Sequence, residues 1–432
     1  MIPLHVAMGI EVAKQICGLA RMNRQVPRGE RAGPRNKSSA KKTGRHFHGS
    51  SRGRRLSQYR GCGKRERSRN SVRQSMPIIQ SELTPTLANA GCWFLHSGIQ
   101  ETPGGVARYH LSDVAANAPV SAEITGYSVS ALVYLHSRTG ESAYLDAGIR
   151  AARFLTRQAW DASASTFPFE LASPLAYFFD AGIIVRGLMA AWRATGDNEF
   201  LNRAREAVLS LAFDFIGEGV FHPVVSLPEK QPLAYEPRWS RSPGCYQLKA
   251  ALAWREAGDA AGIKLYDSML AYSLATHESF LSSEPDREKQ MDRLHAYSYF
   301  LEGLLPVLDR EDVRKHFACG LRAAAGLFRE IAPEFERSDV AAQLLRVRLI
   351  AHHSAALPLD EEAAGEEAAS ARSFQELTIS DRRLKGGFYF GRKRSALLPY
   401  SNPVSTAFCL QALELWEQHQ AGLWSFQLPQ LI

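Results

Sequence analysis

The sequence predicts an all-α fold, a closed ring of six helical hairpins preceded by a disordered basic tail. Two repeats and one charge boundary carry this reading. Ala191-Trp192-Arg193-Ala194-Thr195-Gly196-Asp197 returns 62 positions later as Ala253-Trp254-Arg255-Glu256-Ala257-Gly258-Asp259. Thr139-Gly140-Glu141 with Tyr144-Leu145 returns 56 positions later as Thr195-Gly196-Asp197 with Phe200-Leu201. Residues 77–432, divided among six such units, give about 59 per unit, which matches both spacings. The charge boundary falls at Met76. The chain of 432 residues carries a net charge of +8, yet residues 1–76 hold 19 Lys and Arg against Glu11, Glu30 and Glu66. The basic balance belongs to the tail, and residues 77–432 are mildly acidic.

The tail comes first. Residues 21–75 are rich in Arg, Lys, Ser and Gly and nearly free of aliphatics. They cannot bury enough apolar surface to repay chain ordering, so 1–76 reads as a disordered arm. Its charge suits phosphate contacts with nucleic acid or another anionic surface. The abrupt change at Met76 reads equally as a native start there, with the upstream residues untranslated. Intact-mass measurement separates these two readings. The domain expectation is therefore a tail over 1–76 and one α/α domain over 77–432.

The remaining composition narrows the class. The six cysteines show no C-x-x-C spacing, and Cys92, Cys245, Cys319 and Cys409 lie singly in apolar helical stretches. Such residues are expected to be small buried hydrophobes in a reducing compartment. Ile2 to Ile10 is too short, and too poorly flanked, for a secretory signal. No run approaches the roughly 18 apolar residues of a membrane span. The expected location is the cytoplasm, with no membrane partner.

Each hairpin then follows from one physical unit: an amphipathic helix, a Gly turn, and a second helix opened by an acidic residue. Gly takes the left-handed position that ends one helix, and the carboxylate sits on the positive N-terminus of the next. Extending the period predicts helix pairs at 122–138/142–158, 181–194/198–216, 243–257/260–278, 290–305/311–332 and 338–356/360–377. A helix over 403–420 pairs with the first, 83–97, and closes the ring. Ser242-Pro243 and Asn402-Pro403 are expected caps, each a polar side chain followed by Pro in the first turn. Loops 98–120, 160–178, 217–241 and 384–401 separate the pairs.

The repeated Thr-Gly-Asp/Glu-x-x-Tyr/Phe-Leu turn resembles the turn between inner and outer helices of six-hairpin glycosidase-like (α/α)6 toroids. That superfamily includes glycoside hydrolases, polysaccharide lyases and sugar epimerases. The resemblance spans most of 83–420, and it specifies a fold, not a reaction. Gly386-Gly387-Phe388 followed by Thr406-Ala407-Phe408-Cys409-Leu410-Gln411-Ala412-Leu413 is also similar to the repeat of terpenoid-cyclase and prenyltransferase toroids. Those cyclases carry an Asp-rich motif, and none occurs in this sequence.

The toroid resemblance implies a substrate funnel at the N-terminal ends of the inner helices. Those ends are polar: Glu123 with Tyr127, Asp180, Arg238-Trp239-Ser240-Arg241, Asp292-Arg293-Leu294-His295 with Tyr297, and Arg337-Ser338-Asp339. Hydrolysis of an acidic oligo- or polysaccharide is the leading expectation, because it needs two carboxylates flanking one bond. Asp292 or Glu123 would serve as acid and Asp180 or Asp339 as base. A metal-free uronate lyase or sugar epimerase is the alternative, with His295 and Tyr297 moving the proton. Arg238, Arg241, Arg293, Arg337 and Arg392 would hold an anionic sugar, and Trp239 would stack on it. A non-catalytic saccharide-binding or scaffold protein on the same toroid is the third reading. No spacing implies a metal or organic cofactor; His352 and His353 are adjacent, and neighbours on a helix face apart. The segment 386–393 is expected to form a hairpin at the funnel mouth.

Overall fold

The computed structural model describes residues 84–217, 220–281 and 284–432. The tail expected over 1–76 lies outside the described residues. Twelve α-helices are present among them: α1 Pro85–His96, α2 Ala122–Thr139, α3 Ser142–Phe154, α4 Phe178–Thr195, α5 Asn198–Phe213 and α6 Gln247–Ala257. The series continues with α7 Ala260–Phe280, α8 Arg287–Leu304, α9 Glu311–Ile331, α10 Ser338–His353, α11 Glu361–Arg372 and α12 Pro403–Gln420. The even-numbered helices pack each on the next, and α12 returns to α2, so they form a closed inner ring. The odd-numbered helices pack outside, with α1 against α12. This is an (α/α)6 toroid.

Burial separates the two rings as the sequence pattern requires. In α4, 14 of 18 residues are buried, because an inner helix has neighbours on every side. In α9 only 8 of 21 are buried, and they fall on one stripe through Val313, Phe317, Leu321, Ala324, Phe328 and Ile331. The Gly turns behave as the repeat demands: Gly140, Gly196 and Gly258 end α2, α4 and α6 with φ of 74°, 73° and 80°. Asp197 and Asp259 then accept backbone N–H groups of the next helix, from Glu199 and Gly262.

Two local expectations are corrected. Ser242 does not cap α6: its hydroxyl donates to the Glu236 carbonyl, and the helix starts only at Gln247. Of the four body cysteines, Cys245 and Cys409 are buried, but Cys92 and Cys319 are exposed on outer helices. The ring also has a closure at the other end that the helix map lacks. Past α12 the chain folds back so that Leu431 and Ile432 are 3% and 1% exposed, with Lys249 Nζ donating to the Ile432 carbonyl at 2.7 Å. No helix among the described residues is long and apolar enough to cross a membrane.

Inner helices α2 and α4 touch backbone to backbone. A Cβ added at Gly187 would lie 2.5 Å from the Gly126 carbonyl oxygen. Gly187→Ala is therefore expected to cost about 1–3 kcal/mol through forced separation of the two helices. Gly365→Ala, on α11 with open space around it, should not destabilise and serves as the control. Urea midpoints of the two variants check this.

Candidate active site

Short strands lead directly into four of the inner helices. β1 Val106–Ala107 pairs with β4 Val120–Ser121, and β2 His110–Leu111 lies between β3 Ala116–Asn117 and β10 Tyr400–Ser401. β5 Leu175–Tyr177 pairs with β6 Val224–Ser226, and β8 Gly391–Lys393 lies between β7 Phe335–Arg337 and β9 Ala396–Leu397. β4, β5, β7 and β10 each end within two residues of an inner helix start. Paired strands fix where those helices begin, so first-turn side chains from separate hairpins come to one level. Glu123 of α2, Asp180 of α4 and Asp339 of α10 are such residues. The helix dipole favours a carboxylate at each position.

Two contrasting carboxylate environments result. Glu123 is raised to about 7 by burial, which the Arg108 guanidinium only partly offsets. Asp180 is raised well above the carboxylate range by burial and by the neighbouring charge of Glu123. Its Oδ2 is buried without a hydrogen-bond partner. Neighbouring like charges titrate as a pair, and burial favours the protonated form of each. Across the ring, Arg337 donates to both Asp339 oxygens at 2.9 and 2.6 Å and to Asp292 Oδ1 at 2.6 Å. Burial alone would raise Asp339, but Arg337 holds it below its ordinary range and ionised.

Between these groups runs an aromatic and imidazole lining. His295 is lowered to about 4 by burial and by Arg337, so it is neutral. Its Nδ1 meets Gln343 Oε1 at 2.8 Å, which places the ring proton on Nδ1 and leaves the Nε2 lone pair free of hydrogen bonds to described residues. Tyr299 stands against His295 at 4.6 Å between centroids and against Phe179 at 4.7 Å. Phe179 leads to Tyr246 at 5.9 Å, and Tyr246 to Trp239 at 5.1 Å. Phe408 forms the floor, 5.4 Å from Tyr127 and 6.3 Å from Tyr299. Arg346 and Lys249 lie against Phe408 and pair with Glu302; all three side chains are fully buried.

Not every candidate joins this cluster. The fold brings together Glu123, Tyr127, Asp180, His295, Arg337 and Asp339, with Asp292 half-exposed behind Arg337. Tyr297 points to the outer ring, where its hydroxyl meets His277 Nδ1 at 2.8 Å. Arg293 lies over the Phe280 ring, and Arg241 pairs with Glu236 and donates to Tyr177. Arg392 sits in the expected hairpin but turns outward to Glu336 and the Phe374 ring. Arg238 is exposed on its loop, beside the partly buried Trp239. Sequence reasoning missed Tyr299. Arg108 reaches the site from the first long loop and also pairs with Glu170 at 2.7 Å. Buried polar atoms of inner-ring residues without a protein partner include Tyr127 Oη, Asp180 Oδ2, Gln343 Nε2 and Ser405 Oγ. Such atoms are normally met by a ligand or by ordered water.

No protein-family model matches the chain, and no curated protein matches it. Solved structures do resemble it. Cellobiose 2-epimerase from Spirochaeta thermophila superposes with a TM-score of 0.58 at 15% identity, covering 79% of this chain and 100% of the epimerase. A D-mannose isomerase gives a TM-score of 0.58 at 11% identity, covering 80% and 100%. A GH76 α-mannanase from Bacteroides thetaiotaomicron gives 0.51 at 12%, covering 77% and 97%. The chain thus has the (α/α)6 toroid fold of these proteins. Their reactions differ, so the likeness fixes the architecture alone.

Proposed function

We propose that the protein is a carbohydrate-active enzyme that hydrolyses a glycosidic bond of a neutral saccharide at the Glu123–Asp180 pair. The observation that carries this reading is the pair itself: two inner-ring carboxyls raised by burial, Asp180 further by the charge of Glu123. That arrangement supplies both partners of glycoside hydrolysis. The protonated carboxyl gives its proton to the leaving-group oxygen, while the ionised one acts on the anomeric carbon or on the attacking water. The unpartnered atoms of Tyr127, Gln343 and Ser405 suit the hydroxyls of a sugar. Trp239, anchored edge-on to Tyr246, offers a stacking face at the entrance.

Charge argues for a neutral substrate over the acidic one that the arginine count suggested. Arg337 is already met by two aspartates, Arg241 by Glu236 and Arg392 by Glu336. Asp339 has both oxygens on Arg337, so its part is to hold Arg337 and His295 in place. The pH dependence follows from the roles of the two carboxyls. The charge of Glu123 helps to raise Asp180, so Asp180 is the acid and Glu123 the ionised partner, and activity should rise as pH rises through about 7, where Glu123 ionises. A pH–rate profile whose acid limb lies in the ordinary carboxylate range would contradict the assignment.

A second reading rests on His295. A neutral imidazole with a free Nε2, across from a protonated carboxyl, is also the pairing that epimerisation or isomerisation requires. Incubation with neutral and uronic-acid oligosaccharides in heavy water, read by mass spectrometry, separates the readings. Fragments summing to substrate plus water support hydrolysis, and carbon-bound deuterium without cleavage supports the second reading. Fragments lacking that water mean a lyase. No change in any sugar sinks both readings and leaves a binding protein.

A further inference from the structure

At the opposite end of the ring a second cluster of functional side chains has no part in the chemistry above. α10 closes on His352 and His353, and His419 lies in the last turn of the neighbouring α12. One ring nitrogen from each of the three comes within 4.8 Å of the others. His353 Nε2 and His419 Nδ1 are 3.0 Å apart, and the far nitrogen of His419, Nε2, meets Glu361 Oε1 at 3.0 Å. Trp424 stacks on His353 at 3.8 Å and 7°, fixing that ring from outside the cluster. Adjacent histidines on a helix would face apart; here the helix ends at His353, and the two rings converge with centroids 5.0 Å apart.

We propose that His352, His353 and His419 form a binding site for a divalent transition-metal ion of the zinc class, with Glu361 orienting His419. Several independent features fit. Two nitrogens bound to one tetrahedral zinc, each at about 2.0–2.1 Å, stand roughly 3.3–3.4 Å apart, close to the separation already present between His353 and His419. The Glu361 carboxylate takes the Nε2 proton of His419, which turns its Nδ1 lone pair toward His353. This is the outer partner that histidine ligands commonly have. Two helix C-termini meet at the cluster, and their negative ends favour a cation.

A second group, His277, Glu278 and His316, suits a metal less well. Both nitrogens of His277 are engaged, by Tyr297 and His316, each at 2.8 Å. Asp339 and His353 lie at opposite ends of α10, about 20 Å apart along the helix. The ion would thus staple α10 and α12 and leave the carboxylate chemistry untouched, with a fourth position open to water.

The test uses the full chain, stripped with a chelator and titrated with Co2+ and then Zn2+. One equivalent of Co2+ should bind with the intense visible bands of a tetrahedral site, and Zn2+ should displace it and raise the thermal midpoint. Glu361→Gln should weaken zinc binding about 10–100-fold, as loss of an outer carboxylate does. The variant H353Q/H419Q should lose the bands, and H316Q should keep them. Absence of bound cobalt and zinc in the unmodified protein overturns the proposal. So does loss of the bands in H316Q with retention in H353Q/H419Q.

Discussion

Glu123→Gln should reduce kcat about 10²–10⁴-fold on whichever saccharide the protein turns over, with little change in KM. The amide keeps the shape of the carboxylate but has no negative charge to act on the anomeric carbon or on the attacking water. The same change should leave the fold intact or firmer. Glu123 and Asp180 are both raised, so each carries an ionised form that the enclosed site disfavours. Removing one relieves the other, and active-site groups commonly trade stability for function in this way. Steady-state kinetics beside thermal unfolding checks both halves. A variant that loses activity together with its fold would mean that Glu123 is structural. A variant that keeps near-full activity would remove the carboxylate pair from the mechanism.

The largest effect on stability should come from Glu302. It takes Lys249 Nζ at 2.6 Å and also pairs with Arg346, and none of the three side chains is exposed. Burial alone would raise the Glu302 carboxyl, but Arg346 and Lys249 together hold it below its ordinary value. Glu302→Gln leaves Arg346 a buried cation without its counter-charge and takes the partner from Lys249, which burial already lowers to about 7, a change that costs about 3–5 kcal/mol. Glu311→Gln, which breaks the exposed pair with Lys315, should cost no more than about 1 kcal/mol. Urea unfolding followed by circular dichroism measures both. Equal costs for the two variants would show that the buried triad does not hold the inner ring.

Helices and turns were legible because their signals are local. Gly140, Gly196 and Gly258 sit where a left-handed residue is needed, and the acidic residues after them start the outer helices. The pairing of α12 with α1 followed from the period alone. The start of α6 did not, because the Ser242 hydroxyl is diverted to a carbonyl in its own loop. The level of Glu123, Asp180 and Asp339 was also legible, since it follows from their place at helix starts. Helical phase was available but unused: Tyr299 lies about 40° around α8 from His295, whereas Tyr297 lies about 200° away. That spacing alone would have chosen Tyr299. Other features depend on contacts that no local pattern encodes. Lys249, Glu302 and Arg346 come from three hairpins, and Glu336, which holds Arg392 away from the site, lies 56 residues before it. Arginines counted along the chain suggested an anionic ligand; in the fold most of those charges are already met.

The central claim is that Glu123 and Asp180 retain one proton between them near neutral pH. Infrared difference spectra of the unmodified protein minus Glu123→Gln test it without any substrate. Recorded from about pH 5, above the ordinary carboxyl range, to about pH 9, they should show a protonated-carboxyl C=O band that titrates away near 7. Absence of that band at every pH would mean that Glu123 ionises as an ordinary carboxylate, and a band that never titrates would mean that Glu123 never becomes the ionised partner; either contradicts the pair.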